Sequence, residues 1–156
     1  MLQQLHIRNY VLIDSLEINF PDGLNVITGE TGAGKSILMG ALGLVLGERA
    51  DTQVLLQPDL KCVVEALFDA PQLPELQAYF ESNDLDWDAA IRIRREINPG
   101  GKSRGFVNDT PVNLTQLKWI SERLVDLHQQ FDTLELTKTD FQREALDAFC
   151  QHPRLL

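Results

Sequence analysis

The stretch VITGETGAGKSIL, residues 26–38, places a glycine-rich loop between two apolar runs. Residues 29–36 match the pattern G-x-x-x-x-G-K-[ST] at every fixed position. Glycines at positions 29, 32 and 34 allow a concave loop whose backbone N–H groups meet phosphate oxygens. Lys35 can reach the β- and γ-phosphates, and Ser36 can offer its hydroxyl to Mg²⁺ at the positive end of a helix. The stretch therefore predicts a P-loop that binds a nucleotide with Mg²⁺.

The flanking segments supply the strand, loop and helix order that a P-loop requires. Residues 24–28 predict a buried strand, and Ser36–Leu46 predicts an apolar helix that is covered on most sides. Gly40 and Gly43 suggest that this helix packs closely against a neighbouring backbone. The absence of an N/TKxD-type guanine reader after the loop favours ATP. The residues expected to contact the nucleotide are Gly29, Glu30, Thr31, Gly32, Ala33, Gly34, Lys35, Ser36 and Ile37.

The rest of the chain alternates between strand and helix patterns. An antiparallel strand pair precedes the loop, and segments 60–70 and 89–97 alternate apolar and polar residues at period two. The glycine-rich turn 98–105 predicts a hairpin that pairs the strands around Arg94 and Phe106. Apolar residues recur at helical spacing from Leu73 and again from Leu114, which predicts two helices, with Asn113 or Thr115 as the N-cap of the later one. A last helix is expected over Asp140–Cys150.

Composition limits the function classes. The 156 residues carry a formal charge of −9, so the whole chain does not attract nucleic acid or anionic lipid. A small basic patch on the hairpin is one interpretation of Arg92, Arg94, Lys102 and Arg104, and edge-strand protection is the other. Two distant cysteines give no zinc pattern. No apolar run reaches membrane-spanning length, so we expect a cytoplasmic chain without a membrane partner.

Two blocks of the sequence carry a resemblance to a known family. Residues 2–51 read L-x-I-x-N-Y-x-L-I, then GLNVITGETGAGKS, then LGERAD, and residues 101–130 run from GKSRGFVNDTPVNL to LVDLHQQ. These blocks resemble the RecN family of bacterial DNA-repair proteins, in the SMC-like branch of the ABC-type ATPases. The resemblance implies a P-loop NTPase fold of the ABC/SMC-head type, an α/β architecture in which a mixed sheet carries an antiparallel β layer.

The resemblance also implies site residues outside the P-loop. Where the family reads H-G-Q-H, this chain has HQQF at 128–131, so Gln130 takes the place of the glutamine that reaches Mg²⁺ and the attacking water. Gln129 is the neighbouring alternative. Arg8 and Asn9 occupy positions that lie near the nucleotide in SMC-like heads. Arg49 lies just beyond the helix that follows the loop. In one interpretation it contacts DNA or the nucleotide, and in the other it is a solvated arginine at the negative end of that helix.

The chain lacks other parts that such an ATPase needs. No Walker B strand ending in Asp-Glu and no LSGG-type signature is present, and Asp126 is interpreted as structural. Residues 1–156 are therefore expected to be the N-terminal lobe of an incomplete half-head, cut near the start of a coiled coil. Exposed apolar surface on such a half-head could lead to self-association. Alone, it should bind ATP weakly and hydrolyse it hardly at all.

The implied function is the ATP-binding half of a head that acts in double-strand break repair and recombination. Expected partners are DNA, the C-terminal half of the same head, and a second copy through heads or coiled coil, in a nucleoid-associated bacterial protein. The sequence is also compatible with another SMC-like recombination or break-processing ATPase. Two hypotheses from different classes are a small-molecule P-loop kinase and an interaction module with a vestigial loop.

Overall fold

A computed structural model describes residues 1–29, 33–50, 52–70 and 73–125 of the chain. Residues Met1–Val125 belong to one compact unit. Its strands and helices, in chain order, are β1 Leu2–Tyr10, β2 Ile13–Asn19, α1 Ala33–Val45, β3 Cys62–Asp69, α2 Pro74–Ser82, β4 Ala90–Ile97, β5 Ser103–Val107, β6 Thr110–Val112 and α3 Leu114–Leu124. The helix expected over 140–150 lies outside the described residues.

The six strands form one sheet in the order β2-β1-β3-β4-β5-β6. Every pairing between these described strands is antiparallel, which confirms the predicted antiparallel layer. The predicted hairpin is also present, because Arg94 lies opposite Phe106. Asn108 and Asp109 both have positive φ and connect β5 to β6, as a two-residue hairpin turn requires.

One face of the sheet forms the core, as the period-two pattern predicts. On β3 the inward residues are Cys62, Val64, Ala66 and Phe68, all fully buried. On β4 the isoleucines at 91, 93 and 97 are buried in the same way, and α1 packs over both strands. Arg95 shares that inward face, since it lies between Ile93 and Ile97, and it is only 3% exposed. The core face therefore contains a guanidinium.

The segment expected to be a buried strand before the loop is not a strand. Residues 24–29 make no sheet pairing, and the exposed fractions of Leu24, Val26 and Ile27 are 92%, 72% and 50%. A strand needs a neighbour for its backbone groups. The outer strands of the described sheet are β2 and β6, and neither pairs with this segment. The apolar run is thus an unpartnered strand sequence on the surface.

Helix α1 is less enclosed than its composition predicts. Ala41, Leu44 and Val45 are buried, whereas Leu38 and Leu42 are only half-buried. Its glycines do face close neighbours, but these are side chains rather than a backbone. A Cβ on Gly40 would lie 2.7 Å from the Tyr10 hydroxyl oxygen, and one on Gly43 would meet the Glu48 carboxylate. The glycines therefore make room for side chains from outside the helix.

Helix α3 begins as the sequence predicts. The Asn113 side chain accepts from the Gln116 backbone N–H at 2.9 Å, and the Gln116 side chain accepts from the Asn113 N–H at 3.0 Å. This reciprocal pair is a capping box that satisfies two otherwise free donors. Leu117 and Ile120 are fully buried, and the helix packs against β5.

No helix within the described residues is long and apolar enough to cross a membrane.

Of the two interpretations of the hairpin cations, the basic patch does not hold for Arg92 and Arg94, because carboxylates neutralise both. On the outer face of the sheet, Arg92 contacts Glu65 at 3.5 Å. Arg94 contacts Asp109 at 2.7 Å, Glu96 at 3.4 Å and Glu65 at 3.7 Å. Its guanidinium also lies 4.6 Å from the centre of the Phe106 ring. This face of the hairpin is a mixed ion-pair network.

A candidate nucleotide site at the start of helix α1

Three of the four fixed residues of the loop motif lie at the N-terminus of α1. Gly34, Lys35 and Ser36 lie in the first turn of the helix, and all three are exposed. That turn contains no acidic side chain. The first N–H groups of a helix have no partner within the helix, and the helix dipole makes this end positive. The first turn of α1 therefore presents backbone donors, an ammonium and a hydroxyl to solvent at one place.

Lys35 connects the two ends of the loop. Its Nζ donates to the Gly29 carbonyl oxygen at 2.6 Å, across six positions of sequence. A Cβ on Gly29 would lie 3.9 Å from the same Nζ, and a Cβ on Gly34 would have no neighbour within 4 Å. Residues 30–32, between these two points, lie outside the described residues. The described part of the loop thus has its lysine folded toward Gly29 and open space beside Gly34.

The structure describes some of the other predicted site residues and not the rest. Ile37 is half-buried and packs against the core, so its side chain supports the helix. Arg8 is exposed on β1, and Arg49 is exposed beyond the end of α1. Glu30, Thr31, Gly32 and Gln130 lie outside the described residues, as does the side chain of Ala33. Their contacts with nucleotide stay predictions.

Asn9 has a structural task that the sequence did not reveal. It is 2% exposed and has a φ of 55°, in the left-handed region. Its side-chain amide donates to the carbonyls of Gln57, at 3.1 Å, and Leu60, at 2.8 Å. Its oxygen accepts from the Gln57 N–H at 2.6 Å. Asn9 therefore anchors segment 57–60 to the end of β1, and a nucleotide contact for it stays a prediction.

The described residues fit a bound nucleoside triphosphate with Mg²⁺. Phosphate oxygens require N–H donors and a cation, which the start of α1 and Lys35 provide. The exposed Ser36 hydroxyl is an oxygen ligand of the kind that Mg²⁺ prefers. The space beside Gly34 leaves the backbone accessible, which a close approach by phosphate needs.

Comparison with known proteins identifies the family. The AAA domain family matches residues 4–147, which is most of the chain. The chain belongs to the AAA domain family. Membership of this family implies nucleotide binding, in agreement with the donor set at the start of α1.

Two relatives of this AAA domain are the DNA repair proteins RecN of Haemophilus influenzae and Vibrio cholerae. Each is 38% identical to the chain over its whole length. The match covers 28% of each relative and falls in its N-terminal part. The predicted resemblance to the N-terminal half of a RecN head is therefore confirmed.

A solved SMC ATPase chain, described for ATP-driven dimerization and DNA-stimulated activation, shares the fold of this AAA domain. The two match with a TM-score of 0.64 at 17% identity, over 95% of this chain and 98% of the other. At such low identity the likeness establishes the fold alone. The predicted P-loop fold of the ABC/SMC-head type is confirmed.

Arg95 was not identified from the sequence as a buried residue of the inward sheet face. The run IRIRREI, residues 91–97, places arginines at 94 and 95 in succession, so one of them must point toward the core. That residue is Arg95. The strict alternation of the strand was the signal that could have found it.

Proposed function

We propose that this chain is the ATP-binding N-terminal half of an SMC-like ATPase head in a protein of DNA double-strand break repair and recombination. The chain spans only 28% of the length of the RecN proteins that it resembles. The activity of a complete protein is accordingly part of the proposal. That activity is ATP-driven closure of two heads, coupled to contact with DNA.

The observation that supports nucleotide binding best is the contact between Lys35 Nζ and the Gly29 carbonyl oxygen. Lys35 belongs to the exposed first turn of α1, and this contact brings its ammonium across to Gly29 at the start of the loop. With a triphosphate bound, Lys35 would donate to phosphate oxygens as a point charge. Backbone N–H groups of residues 32–36 would donate to the same phosphates.

Ser36 would hold Mg²⁺, and Gln130 would complete the ligand set and position the attacking water. Bound Mg²⁺ would neutralise charge that develops on the β- and γ-phosphates. The chain contributes positioning and electrostatic stabilisation, which supply nearly all the catalysis in phosphoryl transfer. No Walker B carboxylate or signature motif occurs in residues 1–156, so the chain alone should turn over ATP several orders of magnitude more slowly than a complete head.

The unpartnered segment supports a role for the C-terminal half of the head. Leu24, Val26 and Ile27 form an apolar run directly before the loop, and they are exposed in the described structure. Strands from the C-terminal half would pair with this run and cover it. Such pairing would also fix the position of Gly29. A homodimer through heads or coiled coil, contact with DNA and a place in the nucleoid follow from the same proposal.

Titration calorimetry with ATP and Mg²⁺ tests the nucleotide site. The 156-residue chain should bind ATP weakly, and Lys35→Ala should weaken binding by roughly tenfold or more, because a charged hydrogen bond to phosphate is lost. Lys102→Ala is the matched control, since Lys102 is an exposed lysine in the turn between β4 and β5. This variant should bind ATP as the parent chain does.

Two results would contradict the proposal. Equal affinity of Lys35→Ala and the parent chain would favour a vestigial loop in an interaction module. Turnover by the 156-residue chain at the rate of a complete ATPase would favour an enzyme with its whole catalytic centre in these residues, such as a kinase.

A further inference from the structure

A cavity of about 430 Å³ lies at the outer end of the sheet, formed by β4, β5, β6 and the start of α3. The polar residues of its lining are Arg95, Ser103, Arg104 and Asn113, and Leu114 lines it at the first turn of α3. No carboxylate is among the described residues that line it. The space is thus positively charged on one side and has no anion of its own.

Arg95 is the unusual member of this lining. Its residue is 3% exposed, yet within the described parts of the chain it makes no ion pair, and its Nε is buried without a hydrogen-bond partner. An arginine stays protonated in a folded protein. Burying a charge without a partner is costly, and buried arginines are normally paired with a carboxylate or phosphate. Burial also lowers the pKa of the Arg95 guanidinium.

Three other features of the cavity favour an anion. The Ser103 hydroxyl is a second buried polar group that lacks a partner among the described residues. Arg104 is exposed at the rim and forms no ion pair with any residue that the structure describes. Helix α3, which is eleven residues long, begins in the cavity wall at Asn113 and Leu114, and the N-terminal end of a helix is its positive end.

We propose that the Arg95 cavity, lined by Arg95, Ser103, Arg104 and the start of α3, is a binding site for a phosphate group. Arg95, on the inward face of the sheet, and Arg104, at the exposed rim, bring two positive charges to the lining, which suits a phosphate monoester dianion better than a singly charged carboxylate. Arginine binds phosphate through paired, parallel N–H donors, and the Ser103 hydroxyl adds a further donor. This site is independent of the P-loop, because it depends on β4, β5 and α3.

The phosphate could come from a small phosphorylated molecule or from the 5′ end of a nucleic acid strand. Inorganic phosphate is the probe for the shared chemistry. The readout is the NMR signal of the Arg95 Nε–Hε group in the 156-residue chain, since this signal separates the cavity from the P-loop. We expect a saturable shift of the Arg95 signal with phosphate and a much smaller shift with acetate.

Three variants test whether the phosphate-dependent shift of the NMR signal arises from binding in the Arg95 cavity. Phosphate binding at the cavity, followed through the Arg104 signal, should weaken roughly tenfold or more in Arg95→Met. Arg104→Gln is a polar substitution at an exposed position, so it should leave the fold intact, and it should weaken the phosphate-dependent shift of the Arg95 signal several-fold. Arg92→Gln, on the opposite face of the same strand, is the matched control and should leave phosphate binding unchanged.

The proposal is overturned if phosphate leaves the Arg95 signal unmoved, or if acetate moves it as strongly at equal ionic strength. Unchanged binding in Arg104→Gln would overturn it as well, even if Arg95→Met does not fold. A 5′-phosphorylated oligonucleotide that shifts the signal, where the 5′-hydroxyl strand does not, would assign the site to nucleic acid ends. A shift with inorganic phosphate but with neither strand would assign it to small molecules.

Discussion

At the scale of single residues, two polar side chains that were both predicted to contact the nucleotide, Lys35 and Asn9, have different environments. Lys35 is exposed at the start of α1, where its ammonium reaches the Gly29 carbonyl and is accessible to a phosphate. Asn9 is buried, and its amide groups bond with segment 57–60. The first side chain is positioned for a ligand, whereas the second holds the scaffold.

The task of Asn9 can be tested by substitution. Asn9→Ala leaves the Gln57 N–H and two carbonyls without their partner, and it places alanine at a φ of 55°. We expect the free energy of unfolding in urea to fall by about 3 kcal/mol, since lost buried hydrogen bonds cost about 1–3 kcal/mol and the left-handed conformation costs about 1 kcal/mol. Hydrogen exchange of the Gln57, Asp59 and Leu60 amides should accelerate in parallel.

Asn9→Gly is the matched control, because glycine tolerates positive φ but has no amide to bond segment 57–60. It should recover roughly 1 kcal/mol of the loss and leave the fast hydrogen exchange in place. Protection of residues 57–60 at the level of the parent chain in either variant would show that these hydrogen bonds do not hold the segment.

At the scale of elements, the sequence predicted those features that depend on neighbouring residues in the chain, such as the inward faces of β3 and β4 and the start of α3. The inward faces of β3 and β4 follow from alternation, because successive side chains of a strand point to opposite faces. The start of α3 follows from Asn113 and Gln116, which cap it within four residues of sequence. The same alternation, followed strictly through the run 91–97, places Arg95 in the core.

Elements that depend on distant partners could not be predicted in this way. The run 24–28 has the composition of a buried strand, yet it has no neighbour in the described sheet and is exposed. Strand formation depends on the pairing partner more than on intrinsic preference. The ion pairs of Arg92 and Arg94 could not be predicted either, because Glu65 lies on β3 and Asp109 lies in the turn between β5 and β6.

Helix α1 gives a prediction about packing between a helix and the sheet. A Cβ on Gly40 would lie 2.7 Å from Tyr10 Oη but 3.8 Å from Tyr10 Cζ, an ordinary contact distance. Tyr10 is buried, so its ring has little room to move. Gly40→Ala should therefore lower the free energy of unfolding by about 1 kcal/mol, because strain of about 1–3 kcal/mol outweighs a helix-propensity gain of about 1 kcal/mol.

Removing the hydroxyl should reverse the sign of this effect. In a Tyr10→Phe background, Gly40→Ala is expected to raise the free energy of unfolding by up to about 1 kcal/mol. Urea denaturation of the four chains in this double-mutant cycle measures the coupling, which should be about 2 kcal/mol. Equal effects of Gly40→Ala in both backgrounds would mean that the hydroxyl is not the constraint on this position.

At the scale of the whole molecule, the exposed run at Leu24, Val26 and Ile27 has consequences for assembly. Contiguous apolar surface on a soluble chain favours association, and a strand sequence with free backbone groups favours pairing with another chain. In the proposed complete head, the C-terminal half would cover this run. In the 156-residue chain, a second copy can take that place.

Sedimentation velocity over a range of concentrations tests this expectation. The parent chain should associate as its concentration rises, and Val26→Lys should reduce this association, because a charge opposes burial of the run. Its free energy of unfolding should stay within about 0.5 kcal/mol of the parent value, since Val26 is 72% exposed. Leu12→Lys is the matched control, at 70% exposure in the turn between β1 and β2, and it should associate like the parent.

The same substitution should behave differently in a longer chain that includes the C-terminal half of the head. There the run would be buried between strands, so Val26→Lys is expected to destabilise the protein by several kcal/mol, as a buried unpaired charge does. Equal association of Val26→Lys and Leu12→Lys in the 156-residue chain would exclude the run as the contact. A neutral effect in the longer chain would exclude it as the surface that the C-terminal half covers.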